Sequence, residues 1–303
     1  MSTLSHLEPA IERLTPLSLA ETAWDNVGIM VDAPEPRNAA NGSNKRRIVT
    51  CIDLTTAVCD EALSDPSTTA LLTYHPPIFS GLKALTLANP IQRSLLRCIA
   101  AGVPVFTIHT AADAAVGGTN DLMAGGLLAA AGSKDVDGEG MVRPGEGKGV
   151  KALTEVKNAP EGHEGCGGGR IVDLVEGAGR KLSRDETVKA VKARLNLKHL
   201  QAAWSPTGSD DISTVAICAG SGSGVLKGVK ADLYLTGEMG HHDILAANAA
   251  GIHVLTCNHS ATERPWLSYF APRLERTMNE LARGEAEYEV SVSKADREPL
   301  EVV

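Results

Sequence analysis

Aromatic residues and an excess of positive charge are what this sequence most clearly lacks. Only 3% of its 303 residues are aromatic, so stacking platforms for single-stranded nucleic acid are not expected. Acidic residues outnumber basic ones by 37 to 29, which gives a formal net charge of −8. A surface that binds duplex nucleic acid needs cations to neutralise phosphates, so the composition argues against direct nucleic-acid binding.

Long apolar runs and paired cysteine motifs are also absent. No run approaches the roughly 18 residues that a membrane span needs, and the first residues do not resemble a secretory signal. The six cysteines are dispersed and include no C-x-x-C, which favours buried, reduced thiols over disulfides or a zinc ribbon. We therefore expect no membrane partner and an intracellular, cytoplasmic protein, with the nucleus and the mitochondrion left open.

Strand-like and helix-like segments alternate along the chain. In the first half, apolar runs at 47–53, 70–74 and 103–108 alternate with helical spacing at 55–64 and 89–101. Such alternation predicts βαβ units and a mostly parallel sheet. The second half has a similar character, so the predicted fold class is α/β, with two α/β lobes that contain mostly parallel or mixed sheets.

The composition changes once, in a stretch rich in glycine, glutamate and lysine. We predict a first α/β part at 1–131, a flexible insertion or connection at 132–169, and a second α/β part at 170–303. For the C-terminal helix and strand, at about 264–303, packing back on the first lobe is an alternative to packing within the second part.

Three apolar strands each end in a turn that contains a histidine. These histidines are His75, His109 and His259, and Asp113 and Glu263 each follow one of them by four residues. In open parallel sheets, ligands bind beyond the carboxyl ends of strands, so the three turns are candidates for one shared site. Imidazole and carboxylate together suit zinc, iron or manganese.

Each of these residues also has a purely structural interpretation. Ser260 and Glu263 fit an S-x-x-E capping box, and Asp113 fits a turn residue before Gly117. His75 alone fits a loop residue that hydrogen bonds with the backbone. The recurrence of the pattern at three strand ends favours the metal site over these separate explanations.

Two further features lie in the second half. His241 and His242 follow a predicted strand and are candidates for substrate binding or proton donation, although a solvated helix start explains them equally well. The run Gly220–Gly224 does not fit G-x-G-x-x-G, because Val225 stands where the third glycine belongs. The chain also contains no phosphate-binding G-x-x-x-x-G-K-[ST] and no G-x-S-x-G nucleophile elbow.

Seven motifs, taken in order, resemble the NIF-three family, which is named for an NGG-one-interacting factor and whose members are often labelled GTP cyclohydrolase I type 2 homologues. The resemblance covers most of the chain, except about 34–46 and 132–165. The motifs are Trp24–Gly28, Tyr74–Phe79, His109–Asp113, Gly117–Asp121, Cys218–Gly222, Ala231–His242 and Asn258–Arg264.

The resemblance implies a two-lobed α/β monomer, a homohexameric ring and a pair of divalent metal ions in a cleft between the lobes. It further implies that His75 and Asp113 bind one ion, that His259 binds the second and that Glu263 bridges both. A small-molecule substrate and a protein partner are both compatible with it.

One position departs from the family's bacterial pattern, in which two adjacent histidines precede the loop. Here the first of them is Tyr74, as in the eukaryotic branch. A ligand to the second ion is therefore missing or replaced, and Tyr74, His109, His241 or water are the candidates to compensate. We accordingly expect one or two divalent ions.

Two functions follow as hypotheses. The first is a metal-dependent hydrolase of a phosphate-containing or nucleotide-like substrate, in which His241 or His242 moves protons or contacts the substrate. The second is a regulatory protein that binds a transcription-related partner and carries a structural metal. An open coordination position would favour the first hypothesis, and a closed four-ligand shell the second.

Overall fold

The computed structural model describes residues 2–37, 44–145 and 147–303, and helices and strands alternate along most of them. The α-helices are α1 (Leu4–Leu14), α2 (Thr56–Ser64), α3 (Pro90–Ala100), α4 (His109–Ala114), α5 (Thr119–Ala131), α6 (Leu174–Ala178), α7 (Arg184–Leu195), α8 (Ser223–Leu226), α9 (His241–Ala249) and α10 (Arg264–Ala282). The strands are β1 (Gly28–Val31), β2 (Lys45–Cys51), β3 (Thr68–Thr73), β4 (Val105–Thr107), β5 (Val150–Lys151), β6 (Thr154–Glu155), β7 (Gly167–Gly168), β8 (Arg170–Asp173), β9 (Leu182–Ser183), β10 (Gln201–Ala203), β11 (Asp211–Ile212), β12 (Thr214–Ser221), β13 (Leu233–Glu238), β14 (His253–Thr256) and β15 (Glu287–Val292). None of these helices combines the length and the apolar character that crossing a membrane requires.

The chain divides into two compact units. The first comprises Met1–Ala112 and Leu267–Arg297, and the second comprises Asp113–Trp266 and Glu298–Val303. The sequence-based division differs, because it ended the first part at residue 131. Helix α5 belongs to the second unit since it packs against α7 and β12, a long-range contact that periodicity does not reveal.

A five-stranded sheet forms the centre of the first unit, in the order β1-β4-β3-β2-β15. Four of its strands are parallel, and β1 pairs with β4 antiparallel at the edge. All residues of β3 are buried, as expected for a strand that is covered on both faces. On one face, Val58 of α2 and Leu95 of α3 share a core with Val49 and Leu71 of the sheet.

The C-terminal segment completes this first sheet, because β15 pairs in parallel with β2. Residues beyond β15 are also tied to the unit. The Asp296 carboxylate accepts a hydrogen bond from the Ile52 backbone at 2.6 Å, and Glu61 accepts one from the Ser293 hydroxyl at 2.5 Å. The end of the chain thus supports the turn that follows β2.

A six-stranded mixed sheet forms the centre of the second unit, in the order β10-β14-β13-β12-β8-β5. Strands β12, β13 and β14 are parallel, and the outer strands pair antiparallel. Leu127 of α5 and Val191 of α7 share the larger core with Val215, and a smaller cluster contains Tyr234 and Ala247. Parallel and antiparallel pairs occur in both sheets, so the α/β class is confirmed in its mixed form.

The glycine-rich segment 132–169 packs into the second unit, which differs from the flexible connection that its composition suggests. It contains β5, β6 and β7 and contributes Val142 and Val150 to the larger core. Glu146 lies outside the described residues. Glycines with positive φ, such as Gly149, turn the chain between its apolar residues, so the sequence shows no helical or strand period here.

Local capping sets the start of α7, as the sequence predicts. The Ser183 hydroxyl accepts a hydrogen bond from the Glu186 backbone, and the Glu186 carboxylate accepts one from the Ser183 backbone at 2.8 Å. This backbone hydrogen bond, together with those from the Ser183 hydroxyl and Arg180, lowers the pKa of Glu186 to about 2. Ser183 and Glu186 thus form the capping box that their S-x-x-E spacing predicts.

A buried ion pair between Arg170 and Asp121 fixes the turn before α5. Arg170 Nε donates to Asp121 Oδ1 at 2.5 Å, and neither side chain is exposed. The other guanidinium N–H groups donate to carbonyls that include those of Ala115 and Gly167, while Asp121 accepts a hydrogen bond from the Gly117 backbone at 2.7 Å. These partners allow two charges to remain in the core.

Replacing Asp121 should destabilise the protein strongly. The Asp121→Asn substitution leaves the Arg170 charge buried without its counter-ion, and breaking such a pair costs roughly 3–5 kcal/mol of unfolding free energy. Chemical denaturation of both proteins measures the difference. As a matched control, Glu287→Gln removes the exposed ion pair with Lys45 and should change stability by less than about 1 kcal/mol. Equal effects of the two substitutions would contradict the role given to Arg170.

Candidate metal centre

His259 and Glu263 lie side by side just after β14 in the second unit. Asn258 has a left-handed backbone, with φ of 69°, that turns the chain, and a short 3-10 turn over Ser260–Thr262 follows. This turn places His259 Nε2 3.3 Å from Glu263 Oε1. The two side chains therefore form a candidate His/Glu metal site.

The alternative explanation for this segment, a capping box, is not what the structure shows. The Ser260 hydroxyl donates to the Glu298 carboxylate at 2.6 Å and accepts a hydrogen bond from Arg264 at 2.9 Å. The Glu263 backbone N–H instead donates to the Ser260 carbonyl at 3.1 Å, within the 3-10 turn. Ser260 thus anchors the turn rather than capping a helix that starts there.

Thr262 and Gly220 hold the turn against the end of β12. The Thr262 hydroxyl donates to the His259 carbonyl at 2.7 Å and accepts a hydrogen bond from the Gly220 backbone at 2.8 Å. A Cβ atom on Gly220 would lie 2.7 Å from Glu263 Oε1 and 2.9 Å from His259 Nε2. Gly220 also has φ of 61°, so glycine is needed there for both space and conformation.

The ring of His259 is oriented by Glu238 at the end of β13. Its Nδ1 lies 2.8 Å from Glu238 Oε1, and because an ionised carboxylate can only accept, Nδ1 carries the hydrogen. In a neutral ring, Nε2 then presents its lone pair toward the Glu263 carboxylate. Two electron-rich atoms in this position call for a cation, either a proton on the ring or a metal ion, and the carboxylate on Nδ1 is typical of metal-bound histidines.

Asp113 belongs to the same unit, at the end of α4. The Thr119 hydroxyl donates to the Asp113 carboxylate at 2.6 Å. The Asn120 side chain donates to the Asp113 carbonyl and accepts a hydrogen bond from the Ala219 backbone in β12. Burial raises the pKa of the Cys218 thiol to about 12, and the negative charges of Asp113 and Glu263 contribute to that increase. Both carboxylates therefore act on one buried thiol.

His75 in the first unit shows the same imidazole–carboxylate arrangement as His259. It follows β3, and its backbone donates to the Ile52 carbonyl at 3.0 Å. Its Nδ1 lies 2.9 Å from Asp53 Oδ1, in the turn after β2. The hydrogen bond to Asp53 makes Nε2 of His75 the atom suited to bind a metal ion.

His109 pairs with a buried carboxylate in the first unit. Its Nδ1 lies 2.6 Å from Asp25, whose side chain is completely buried and also accepts hydrogen bonds from Thr110. Burial opposes ionisation of Asp25, but the hydrogen bonds from His109 and Thr110 and the charge of His109 hold its pKa below the usual value. His109 has φ of 24°, an unfavourable backbone conformation for a residue with a side chain.

Tyr74 lies beside both of these histidines in the first unit. Its buried ring has its centroid 5.3 Å from that of His75 and 6.0 Å from that of His109, with the rings edge to face in both cases. The centroids of His75 and His109 are 5.3 Å apart. The first unit therefore groups Tyr74, His75 and His109.

His241 and His242 lie on the first turn of α9 and are both exposed. Their ring centroids are 5.3 Å apart. The strand end at Glu238, which orients His259, leads directly into this helix start. The structure therefore groups the two histidines with each other and connects them to the centre through one short loop.

Sequence reasoning missed the three carboxylates that orient the histidines, namely Asp25, Asp53 and Glu238. Two of them had a recognisable signal, because Asp53 follows β2 and Glu238 ends β13. Acidic residues at the ends of neighbouring strands are candidates to orient a histidine there, because parallel strands end at the same edge of a sheet. Asp25 precedes β1 in a loop, so its pairing with His109 depends on tertiary structure alone.

Adding a methyl group at Gly220 should disturb the His259–Glu263 pair. Gly220→Ala requires a left-handed alanine and a displacement of both side chains, so we expect the unfolding free energy to fall by about 1–2 kcal/mol. Chemical denaturation measures this loss. Gly224→Ala is the matched control, because a Cβ there meets nothing within 4 Å and φ is not positive. A Gly220→Ala protein as stable as the Gly224→Ala protein would contradict this account.

Comparisons with known proteins agree on one family. The model of the Duf34/NIF3 (NGG1p interacting factor 3) family matches residues 2–299. A NIF3 homolog from Schizosaccharomyces pombe is 37% identical over 297 residues, which cover 98% of this chain and 96% of that protein. NIF3-like protein 1 from Homo sapiens is 31% identical over 362 residues, which cover 99% of this chain and 92% of that protein. The crystal structure of a Bacillus cereus protein related to NIF3 has the same fold, with a TM-score of 0.73 at 17% identity, and covers 99% of this chain and 98% of that one. The chain therefore belongs to the NIF3 family, as its seven motifs predict.

Proposed function

We propose that this protein is a divalent-metal-dependent hydrolase that acts on a phosphate-containing or nucleotide-like substrate. The proposed ligands are His75, Asp113, His259 and Glu263, as the family resemblance implies, with one or two ions bound. The observation that carries the proposal is the His259–Glu263 pair, in which Nε2 faces a carboxylate oxygen at 3.3 Å while Nδ1 is held by Glu238.

The residues fit such an ion in both donor type and orientation. Imidazole and carboxylate donors suit zinc, iron or manganese. Asp53 and Glu238 each accept a hydrogen bond from Nδ1 of a proposed histidine ligand, which fixes the ring and strengthens Nε2 as a donor. Gly220 leaves open the space next to the pair that any side chain would fill.

A divalent ion in this donor set would supply Lewis-acid polarisation of a substrate oxygen and a water molecule of lowered pKa. The protein's own groups have distinct tasks. His241 and His242 would contact the anionic part of the substrate or move a proton, because imidazole titrates near neutral pH. Tyr74, His109, His241 or water would complete a second ion site.

A regulatory function is the alternative, and the family description, NGG1p interacting factor 3, supports it by naming protein interaction. In that case the metal would be structural and a protein partner would replace the substrate. The net charge of −8 fits a protein partner better than direct nucleic-acid contact. Metal binding without hydrolysis would favour this alternative.

We further propose that the protein is cytoplasmic, and fluorescence microscopy of a tagged protein would test this location. We also propose that it assembles as a homohexamer. A run of exposed apolar side chains in the first unit supports self-association, since monomers rarely expose such patches. Its members are Leu82, Leu85, Leu87 and Ile91, which are 43–63% exposed.

Replacing the proposed ligands should remove the metal. We expect purified wild-type protein to retain zinc, iron or manganese, and Glu263→Gln and His75→Ala to bind it at least about tenfold more weakly. Glu238→Gln, which only orients His259, should weaken binding by roughly 10–100-fold. Elemental analysis and zinc titration measure these effects, and Glu280→Gln on the exposed face of α10 serves as the control.

Two results would decide against parts of the proposal. If Glu263→Gln and His75→Ala retain full metal content, the ligand assignment is wrong. If the wild-type protein binds metal but cleaves none of a panel of phosphate esters and nucleotides, the regulatory alternative replaces the hydrolase.

The hexamer predicts a solution mass six times that of the 31.7 kDa chain. Light scattering coupled to size-exclusion chromatography measures it. Leu85→Glu and Leu87→Glu together should lower the mass, because charge on an apolar contact surface opposes association. A monomeric wild-type protein would refute the assembly.

A further inference from the structure

Two exposed aromatic side chains form a pair on the surface of the first unit. Trp24 and Phe79 are 55% and 54% exposed, and their ring centroids are 6.2 Å apart with an angle of 41° between the planes. The other described tryptophan and phenylalanine side chains are buried, apart from Trp204 at 36% exposure. Exposure of two large rings together is costly in water, so the pair calls for a binding role.

The loops that carry the two rings are fixed to each other. The Asn26 side chain donates to the Ile78 carbonyl at 2.6 Å, which joins the loop after Trp24 to the loop before Phe79. Buried Asp25 adds a second anchor through its hydrogen bonds with His109. The aromatic pair is therefore preorganised, which reduces the entropy lost when a ligand binds.

The pair lies next to the histidines of the first unit. The His109 ring stands nearly perpendicular to Trp24, with centroids 6.1 Å apart, and its centroid is 6.4 Å from that of Phe79. His109 in turn lies 5.3 Å from His75, the proposed ligand in this unit. A ring stacked on the aromatic pair would thus have the rest of its molecule within reach of His75.

We propose that Trp24 and Phe79 bind a planar aromatic ring of the substrate, so that the substrate is an aromatic phosphate ester of the nucleotide type. This proposal rests on the proposed hydrolase function and specifies its substrate class. Aromatic faces stack on any planar heterocycle, and the acidic chain offers few other exposed aromatic groups for that purpose. The imidazoles of His75 and His109 would lie toward the phosphate end.

Two probes test the proposal, namely adenosine 5′-monophosphate, which carries an adenine base, and ribose 5-phosphate, which lacks one. We expect wild-type protein to bind the adenosine compound more tightly, as measured by calorimetry. Trp24→Leu and Phe79→Leu should each weaken its binding by roughly five- to a hundredfold, which is the range for loss of one stacking contact. Neither substitution should change the binding of ribose 5-phosphate.

Trp204→Leu, in the second unit, is the matched control and should bind both probes as the wild type does. Equal binding of the two probes, failure of the adenosine compound to bind, or unchanged binding by Trp24→Leu and Phe79→Leu would each overturn the proposal. A change of oligomeric mass in these variants without a change in binding would assign the pair to contact with a second copy and overturn it as well.

This experiment separates the aromatic site from the metal site. Ring-dependent binding that is lost in Trp24→Leu, in a protein that retains no metal, would support the aromatic site while the hydrolase proposal fails. Full metal binding together with equal affinity for both probes would leave the metal site standing and overturn the aromatic site.

Discussion

The buried pair of Arg170 and Asp121 determines the local geometry around Asp113, a proposed metal ligand in the second unit. Its hydrogen bonds hold the turn from Ala115 to α5, and Asp113 lies two residues before that turn. The guanidinium is surrounded by backbone carbonyls and one carboxylate, so the turn has few alternative conformations that satisfy this charge. The position of Asp113, a proposed metal ligand, is thus fixed by an ion pair whose own residues are not proposed ligands.

The same imidazole–carboxylate arrangement occurs at three histidines of the chain. His75, His109 and His259 each place Nδ1 on a carboxylate, from Asp53, Asp25 and Glu238 respectively. Each carboxylate fixes the ring orientation and accepts the hydrogen on Nδ1, so that Nε2 carries the lone pair in a neutral ring. A carboxylate that accepts the Nδ1 hydrogen is the arrangement that metal-binding histidines commonly have.

Much of the fold was predictable because local patterns agree with the final structure. The strands at 47–53 and 70–74 and the helix at 89–101 were placed within a few residues of β2, β3 and α3. Periodicity does not reveal helix α5, since it is buried on nearly all sides and has no polar face to produce a helical period. The packing of segment 132–169 is hidden in the sequence for a related reason, as its core residues are few and are separated by glycine.

The amino-acid sequence by itself determined the family, the alternating α/β elements, the capping box at Ser183 and the histidines that end the strands. Only the tertiary structure decided which carboxylate orients which histidine, why Gly220 must be glycine, and that Trp24 and Phe79 form one exposed pair. The physical reason is distance along the chain. Caps and periods arise from residues within one or two turns of each other, whereas Asp25 and His109 are 84 residues apart and meet only when the sheet has formed.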